Sequence, residues 1–301
     1  MADMESSGDL PPLVESEVPL AKPVGLLLRR EEADDRAVND ETQHRDDKDN
    51  DDVARVVKLV HLQDPKAGVF SQQKKQCDLW EFFWGTSLLT ASFINALDLS
   101  KLSVLEIGGG SGLCSLTASL SGADSVRMTD LVEDALRVCA QSAKANELAN
   151  VSFAKLDWND MNSVPEEAYD LVIASDVLFY RGTVSPVAQV FARALRPGGI
   201  GLLTDPCRCN TDDFISKLDD LGIVAETHLF RPEMLARGRD LGPKAFVNVK
   251  KVKLIVFSKP SSNERLQQLS DLDEQIKAAL PGFTRPEIEV EMEALGLAIN
   301  S

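Results

Sequence analysis

Between Leu102 and Lys259 the chain alternates between two hydrophobic textures. Short runs rich in aliphatic and β-branched residues, "LSVLEIG", "SVRMTD", "VSFAKL", "YDLVIASDVLF" and "GIGLLTD", close on polar or glycine turns and read as strands. Among them lie "GLCSLTASLSGA", "LVEDALRVCAQSAKANE" and "SPVAQVFARALRPG", whose apolar residues recur as on one face of a helix. The last is expected to run to its Arg-Pro-Gly stop, and "TDDFISKLDDLG" predicts a further helix with Gly222 at its end. Strands and helices in alternation predict a parallel sheet covered on both faces. "IVAETHLF" and "KVKLIVFSK" follow with no convincing helix between them and are expected to be antiparallel. The predicted fold class is α/β: a Rossmann-like, seven-stranded, mostly parallel sheet with helices on both faces and an antiparallel closing strand.

The flanks read differently. "VARVVKLVHL", from Val53, alternates enough for a strand or a short ordered lead-in. After it, "DLWEFFWGTSLLTASFINAL" spaces Trp80, Phe83, Trp84, Leu88, Leu89 and Phe93 for one buried face, predicting a helix from about Thr86 to Leu97. Downstream, "NERLQQLSDLDEQIKAAL" places Leu266, Leu269, Leu272, Ile276 and Leu280 on one stripe, as in a helix packed on the body or one held for a partner. "RPEIEVEMEALGLAI" fits strand and helix equally. Three regions are expected: an acidic disordered tail over 1–52, a domain over 53–260 and a helical extension over 261–301.

Composition narrows the class. At 301 residues with 44% hydrophobic content, the chain can build a sizeable core. No apolar run approaches the roughly 18 residues of a membrane span, and the acidic start "MADMESSGDL" is unlike a secretory signal, so a cytoplasmic place, shared with the nucleus, is expected without membrane attachment. The net charge of −16 opposes binding to a phosphate backbone and favours a partner with a basic segment. Much of it lies in "EEADDRAVNDETQHRDDKDNDD", read as a solvated tail or a substrate-attracting arm. Cys77, Cys114, Cys139, Cys207 and Cys209 show no paired C-x-x-C spacing, and with three histidines neither a disulfide framework nor a metal site is indicated. A monomer is expected.

The chemistry-bearing stretch is "VLEIGGGSGLCSL". Gly108, Gly110 and Gly112 give G-x-G-x-G, with Leu113 where the dinucleotide fingerprint needs its third glycine, and no Gly-Lys-Ser or Gly-Lys-Thr follows. Glu106, two residues ahead, would repel a pyrophosphate and suits a cationic ligand. Asp130 ends the second strand, where a carboxylate can accept ribose hydroxyls; Asp157 ends the third, with Trp158 beside it to cover an adenine. Acids at successive strand ends make S-adenosylmethionine the expected cofactor over NAD.

From about Leu79 to Lys259 the chain resembles the seven-β-strand S-adenosylmethionine-dependent methyltransferases. In the order of "WEFFWGTSLLTASFI", "VLEIGGGSGL", "VRMTD", "AKLDW" and "ASDVLFY" it is similar to the small protein-lysine methyltransferases. The resemblance implies a protein substrate methylated on lysine. It also implies Trp84 over the cofactor, Glu106, Gly108, Gly110 and Gly112 in the first motif, Asp130 at the ribose, and Asp157 with Trp158 at the adenine. Ser175 is placed with the cofactor residues as well.

At the end of "LVIASDVLFY", Asp176 and Phe179 fit the family's pattern of an acid, two residues and an aromatic, although tyrosine is the commoner aromatic in the lysine enzymes. The plainer alternative makes Asp176 a cap and Phe179 core. Methyl transfer to an amine asks mainly for positioning of a nitrogen lone pair, after a lysine has lost a proton at a cost of about 4 kcal/mol near neutrality. Asp176 is therefore expected to orient the amine, with Phe179, Tyr180 and Trp84 as walls. "TDPCRCN" resembles an Asp-Pro-Gly-Arg stretch of one branch, with Cys207 in place of glycine; Arg208 reads equally as a rim residue or as a solvated arginine. An arginine or small-molecule N-methyltransferase, and a non-catalytic interaction protein of the same fold, remain as alternatives.

Overall fold

Leu171, Val172, Ile173 and Ala174 are all buried, yet successive ones enter different cores: Leu171 and Ile173 join one hydrophobic cluster, Val172 and Ala174 the other. A strand covered on both faces has this pattern, because its side chains alternate between them. The computed structural model describes residues 13–21, 53–62, 78–81, 84–230, 251–260, 272 and 274–276. In chain order its strands are β1 (Leu13–Ala21), β2 (Val53–Leu62), β3 (Ser103–Ile107), β4 (Ser125–Asp130), β5 (Val151–Lys155), β6 (Tyr169–Ser175), β7 (Leu195–Asp205), β8 (Ala225–Phe230) and β9 (Val252–Ser258). The helices are α1 (Gly85–Ile94), α2 (Leu113–Leu120), α3 (Glu133–Ala145), α4 (Val184–Ala194) and α5 (Asn210–Asp220).

The main sheet has seven strands in the order β5-β4-β3-β6-β7-β9-β8. Pairings from β5 through β7 are parallel, and β9 runs antiparallel to both β7 and β8, as the sequence predicts. One face carries Leu88 and Ile94 of α1, Leu113 and Leu116 of α2, and Leu136 and Cys139 of α3. The other carries Val187 and Phe191 of α4 and Phe214 and Leu218 of α5. There Phe191, Phe214 and Phe257 meet edge to face, with centroids 4.9 to 6.0 Å apart.

Three boundaries differ from the sequence reading. Helix α1 stops at Ile94, because the next amides, of Ala96 and Leu97, bond three residues back to Phe93 and Ile94 and tighten the chain into a turn. Helix α4 stops at Ala194, before the Arg-Pro-Gly that was expected to end it. Leu195 is already paired with Tyr169, and Arg196 holds both Asp170 oxygens at 2.8 Å, so those residues are drawn into β7. The expected disordered tail contains β1, which pairs antiparallel with β2. In "LVESEVPLA", Val18 and Leu20 point inward with Val57 and Leu59, while Glu15 and Glu17 face water. This alternation is submerged in the acidic average of the tail. The acidic stretch from Glu31 to Asp52 lies outside the described residues.

The hairpin is fixed to α3 by polar contacts that satisfy the free side of β2. The Val60 amide donates to Ser142 Oγ at 2.9 Å, and Asn146 both accepts from the Lys58 amide at 2.9 Å and donates to its carbonyl at 2.6 Å. Of the C-terminal stripe, Leu272 and Ile276 are buried in the same core as α1, and Gln275 accepts a bond from the Asp98 amide. Leu266, Leu269 and Leu280 lie outside the described residues, as does "RPEIEVEMEALGLAI".

The junction of β3 with α2 shapes the glycine loop. Gly112 has φ +72° at the helix start, and a Cβ there would fall 1.9 Å from Cys139 Sγ, so only glycine lets α3 pack this close. Glu106 was expected to face a cationic cofactor. Its carboxylate is instead 2% exposed and turned onto the first turn of α2, accepting from the Ser115 amide at 2.9 Å and from the Ser115 hydroxyl. It thus acts on the loop from beneath. Burial pushes its carboxyl up to about 7, against the Ser115 bonds that favour the charged form.

An acid whose folded value lies above its unfolded one holds stability fully below the unfolded value and loses it as pH rises toward the folded value. For Glu106 that window runs from 4.5 to about 7. The loss amounts to about 3 kcal/mol at most. Denaturant unfolding at pH 4.5 and 7.5 should therefore show Glu106→Gln gaining on the wild type as pH rises. A difference that is flat across this range would mean that Glu106 titrates normally.

Candidate active site

In an open parallel sheet, ligands settle at the carboxyl ends of strands where the connections diverge to opposite sides. Here β3 continues to β4 on one side while its other neighbour, β6, continues to β7. The loop after β3 and the residues after β6 therefore rise from adjacent strands, and they carry Gly108 to Gly112 and Asp176.

The loop half of the crevice is built largely from backbone. Gly108 has φ +63°, and a Cβ there would meet Trp158 Cζ2 at 2.8 Å and Val177 Cγ1 at 3.0 Å, so the indole ring lies directly on the main chain. The Gly110 amide, also at positive φ, donates to Asp130 Oδ2 at 3.0 Å, while Asp130 Oδ1 accepts from the Val132 amide. Burial pushes the Asp130 carboxyl up from the ordinary carboxylate range. Asp157 Oδ1 accepts from the Asn159 amide and side chain, fixing the turn that carries Trp158. Opposite the loop runs the 3-10 turn Asp78–Glu81, whose Trp80 Cα would lie 3.9 Å from a Cβ on Gly110. Trp84, half-buried at the start of α1, donates its indole N–H to the Leu79 carbonyl at 3.0 Å and braces that turn. Phe83 and Cys77 lie outside the described residues.

The other half is centred on Asp176. It stands just past the end of β6 in a left-handed conformation, φ +62°, which costs a non-glycine residue about 1 to 3 kcal/mol and must be held by its surroundings. The holding groups are visible. The Asp176 amide donates to the Thr204 carbonyl at 2.9 Å, Oδ2 accepts from the Thr86 hydroxyl at 3.1 Å, and Oδ1 pairs with the Arg208 guanidinium. The side chain is 7% exposed. Burial pushes its carboxyl up, while Arg208 and Thr86 pull it down. Arg208 also reaches Asp205 Oδ2 at 3.2 Å. Asp205, fully buried, accepts from the Arg208 amide at 2.6 Å and the Thr211 hydroxyl at 3.1 Å. Cys207, between these two, has φ +62°, the conformation a glycine would take without strain.

Beneath Asp176 a hydroxyl chain locks α1 to the sheet. Thr90 Oγ1 lies 2.6 Å from Thr204 Oγ1, and both lie within reach of Ser175 Oγ, at 3.4 and 3.1 Å. Ser175 is thus part of the scaffold under the crevice. Phe179 and Tyr180 are 41% and 66% exposed, so the reading of Phe179 as core is excluded, while Val177 and Leu178 are buried. Sequence reasoning missed Thr86, Thr90 and Thr204, which are ordinary helix and strand residues without their partners. It also left Arg208 undecided, although the Asp205 to Arg208 spacing was a usable signal.

The loop fits an adenosyl cation better than a dinucleotide. The side chains packed on it are Trp158, Val177, Met128, Cys139 and Glu106, with Asp130 at an amide, and none of these carries positive charge. A diphosphate would meet the Asp130 carboxylate with only amides to compensate, whereas Asp130 is a hydrogen-bond acceptor and Trp158 an aromatic face. A depression of about 420 Å³ elsewhere, lined by Met161, Glu166, Gln189, Ala192, Arg193, Leu221 and Lys259, shares no residue with this crevice. Among the described residues no group of His, Cys, Asp and Glu is arranged to hold a metal ion.

A family model described as lysine methyltransferase matches residues 68–220, a span that contains the glycine loop, Asp176 and Arg208. The chain is 25% identical over 180 residues to the protein N-lysine methyltransferase METTL21A of Xenopus tropicalis, covering 55% of this chain and 83% of that protein. It is 26% identical over 166 residues to METTL21A of Danio rerio, covering 52% and 75%. A ribosomal protein L11 methyltransferase of Teredinibacter turnerae is 29% identical over 131 residues, 44% of this chain and 42% of that one. With half of its length matched by the model, and with the crevice inside that half, this chain belongs to the lysine methyltransferase family.

Proposed function

We propose that this chain transfers a methyl group from S-adenosylmethionine to the side-chain amine of a lysine in a protein, with Asp176 receiving the amine. The observation that carries the reading is Asp176 itself, a buried carboxylate beside the glycine loop, held by Thr86 and Arg208 and followed at once by the exposed rings of Phe179 and Tyr180.

S-adenosylmethionine, when bound, supplies a methyl carbon on a positively charged sulfur. Asp130 accepts from the ribose, Trp158 and the turn fixed by Asp157 cover the adenine, and the Gly108 to Gly112 backbone lets the ligand approach. Trp84 closes the cofactor side, and Ser175 keeps the strand end in place. At the acceptor side, Asp176 accepts an N–H from the amine, which directs the nitrogen lone pair away from the carboxylate, and it offsets the positive charge that develops on nitrogen. Phe179 and Tyr180 flank the alkyl chain and exclude water. A proton leaves the lysine ammonium before this alignment; no side chain is assigned as its base.

The net charge of −16 suits a basic segment in the substrate protein. Nucleic acid is not expected as a partner. No helix among the described residues is long and apolar enough to cross a membrane. We place the enzyme in the cytoplasm and the nucleus, acting as a monomer, and read β1 together with 53–260 as the catalytic unit, with the acidic stretch between these two parts in the sequence and the C-terminal extension after them.

Incubation with methyl-labelled cofactor and cell extract should label a protein band, and peptide mass spectrometry should place the methyl on lysine. Asp176→Asn should lower the rate by about a hundredfold or more while leaving cofactor binding intact. Label on arginine, or undiminished labelling by the variant, would overturn the assignment. For the cofactor side, calorimetry with S-adenosylhomocysteine should show at least a tenfold weaker Kd for Gly108→Ala, whose new methyl collides with Trp158. Asp130→Asn, which adds no bulk, should lose a similar factor, and unchanged affinity in Asp130→Asn would remove that residue from the ribose site.

A further inference from the structure

The guanidinium of Arg208 is shared between two buried carboxylates that come from different strands, Asp176 after β6 and Asp205 at the end of β7. Their side chains are 7% and 0% exposed, against 28% for Arg208. Buried charges persist only when paired, and here two negative charges face one positive charge. The groups that touch the cluster from the remaining elements are neutral hydroxyls, Thr86 of α1 and Thr211 of α5. Two further cations, Lys251 and Lys253, act on the adjoining Cys207, and Lys253 is paired with Asp212. On a formal count of its own three groups the cluster carries −1, the complement of a single cation.

The two carboxylates are not equivalent. Asp205 is tied down by the Arg208 amide, the Thr211 hydroxyl and the guanidinium, so Arg208 is anchored to it at both its backbone and its side chain. Asp176 receives only the Thr86 hydroxyl and the guanidinium on its side-chain oxygens. Of the two contacts made by Arg208, the one to Asp176 is the one that can be exchanged.

We propose that Arg208 is a stand-in for the acceptor amine: it occupies Asp176 while the site is empty, yields that carboxylate to an incoming lysine, and stays on Asp205. This rests on the lysine-methyltransferase reading and adds a positioning residue to it. Arg208 touches no reacting atom. Its effect is to keep Asp176 charged and oriented before substrate arrives, and to set the affinity for the amine by competing with it. Removing the guanidinium frees Asp176 and raises the local negative charge, so a small ammonium should bind more tightly. Removing the charge of Asp205 leaves Arg208 with Asp176 alone, and the same ammonium should bind more weakly.

The test uses the full chain saturated with S-adenosylhomocysteine and titrated with n-butylammonium chloride as a mimic of the lysine side chain, followed by NMR. Arg208→Gln should bind the amine about tenfold more tightly than the wild type, Arg208→Lys should restore wild-type affinity to within a few-fold, and Asp176→Asn should abolish binding. Asp205→Asn should weaken binding about tenfold, and it serves as the deciding variant if Arg208→Gln no longer binds S-adenosylhomocysteine. A purely structural Arg208 would change melting and cofactor affinity without tightening the amine. Equal or weaker amine binding by folded Arg208→Gln, or unchanged binding by Asp205→Asn, overturns the inference while leaving the lysine reading standing. Failure of n-butylammonium to bind any variant, Arg208→Gln included, overturns both.

Discussion

The crevice depends on the parallel register between β3 and β6, because that pairing alone puts the glycine loop and Asp176 on neighbouring strand ends. Val104 faces Leu171 and Glu106 faces Ile173. At the opposite end the register is pinned by Asp170, which accepts from the Ser103 amide at 2.9 Å and hydroxyl at 2.7 Å while Arg196 grips both of its oxygens. A slip of one residue would move Asp176 by about 3.3 Å and exchange the two faces of β6. Such a slip would place Leu171 and Ile173 where Val172 and Ala174 now pack, so hydrophobic packing and the Asp170 clamp enforce the same alignment.

The two halves of the site use that alignment differently. On the cofactor side, side chains have been removed, and what remains is main chain at positive φ with Trp158 lying against it and Glu106 holding α2 from below. On the acceptor side, polar side chains have been gathered. Thr86, Thr90, Thr204 and Ser175 come from α1, β6 and β7; the Thr86 hydroxyl and the Thr204 carbonyl hold Asp176 in its left-handed conformation, and Thr90 and Ser175 brace Thr204. Arg208 completes this half by neutralising one of two buried acids.

The N-terminal hairpin shows how a local signal can be lost in an average. Residues 1–52 are acidic overall, yet Val18 and Leu20 alternate with Glu15 and Glu17 and form a strand against β2. The free polar backbone of β2, at Val60 and Lys58, is satisfied by Ser142 of α3 and by Asn146 at its C-cap, far away in the sequence. The nine residues of β1 would not be stable alone, since an isolated pair of strands is marginal in water. They become ordered by pairing with β2, which packs on α3, and by burying Val18 and Leu20 in the core that contains α1.

The sequence by itself determined the period of the elements and therefore the α/β class. It placed the seven strands of the main sheet, the antiparallel closure and the glycine turn with acids at successive strand ends, because period, turn chemistry and strand-end position are local properties. It also marked Asp176, Phe179 and Tyr180 by their adjacency along one segment. Tertiary structure alone decided which way the acids face. Glu106 and Asp130 are both acids near the same loop, yet one is turned under α2 and the other onto the Gly110 amide. It also decided that Arg208 and Thr86, separated by more than a hundred residues, meet on one carboxylate. Orientation and long-range pairing depend on how strands and helices stack, and no pattern read within one segment records where its side chains will find their partners.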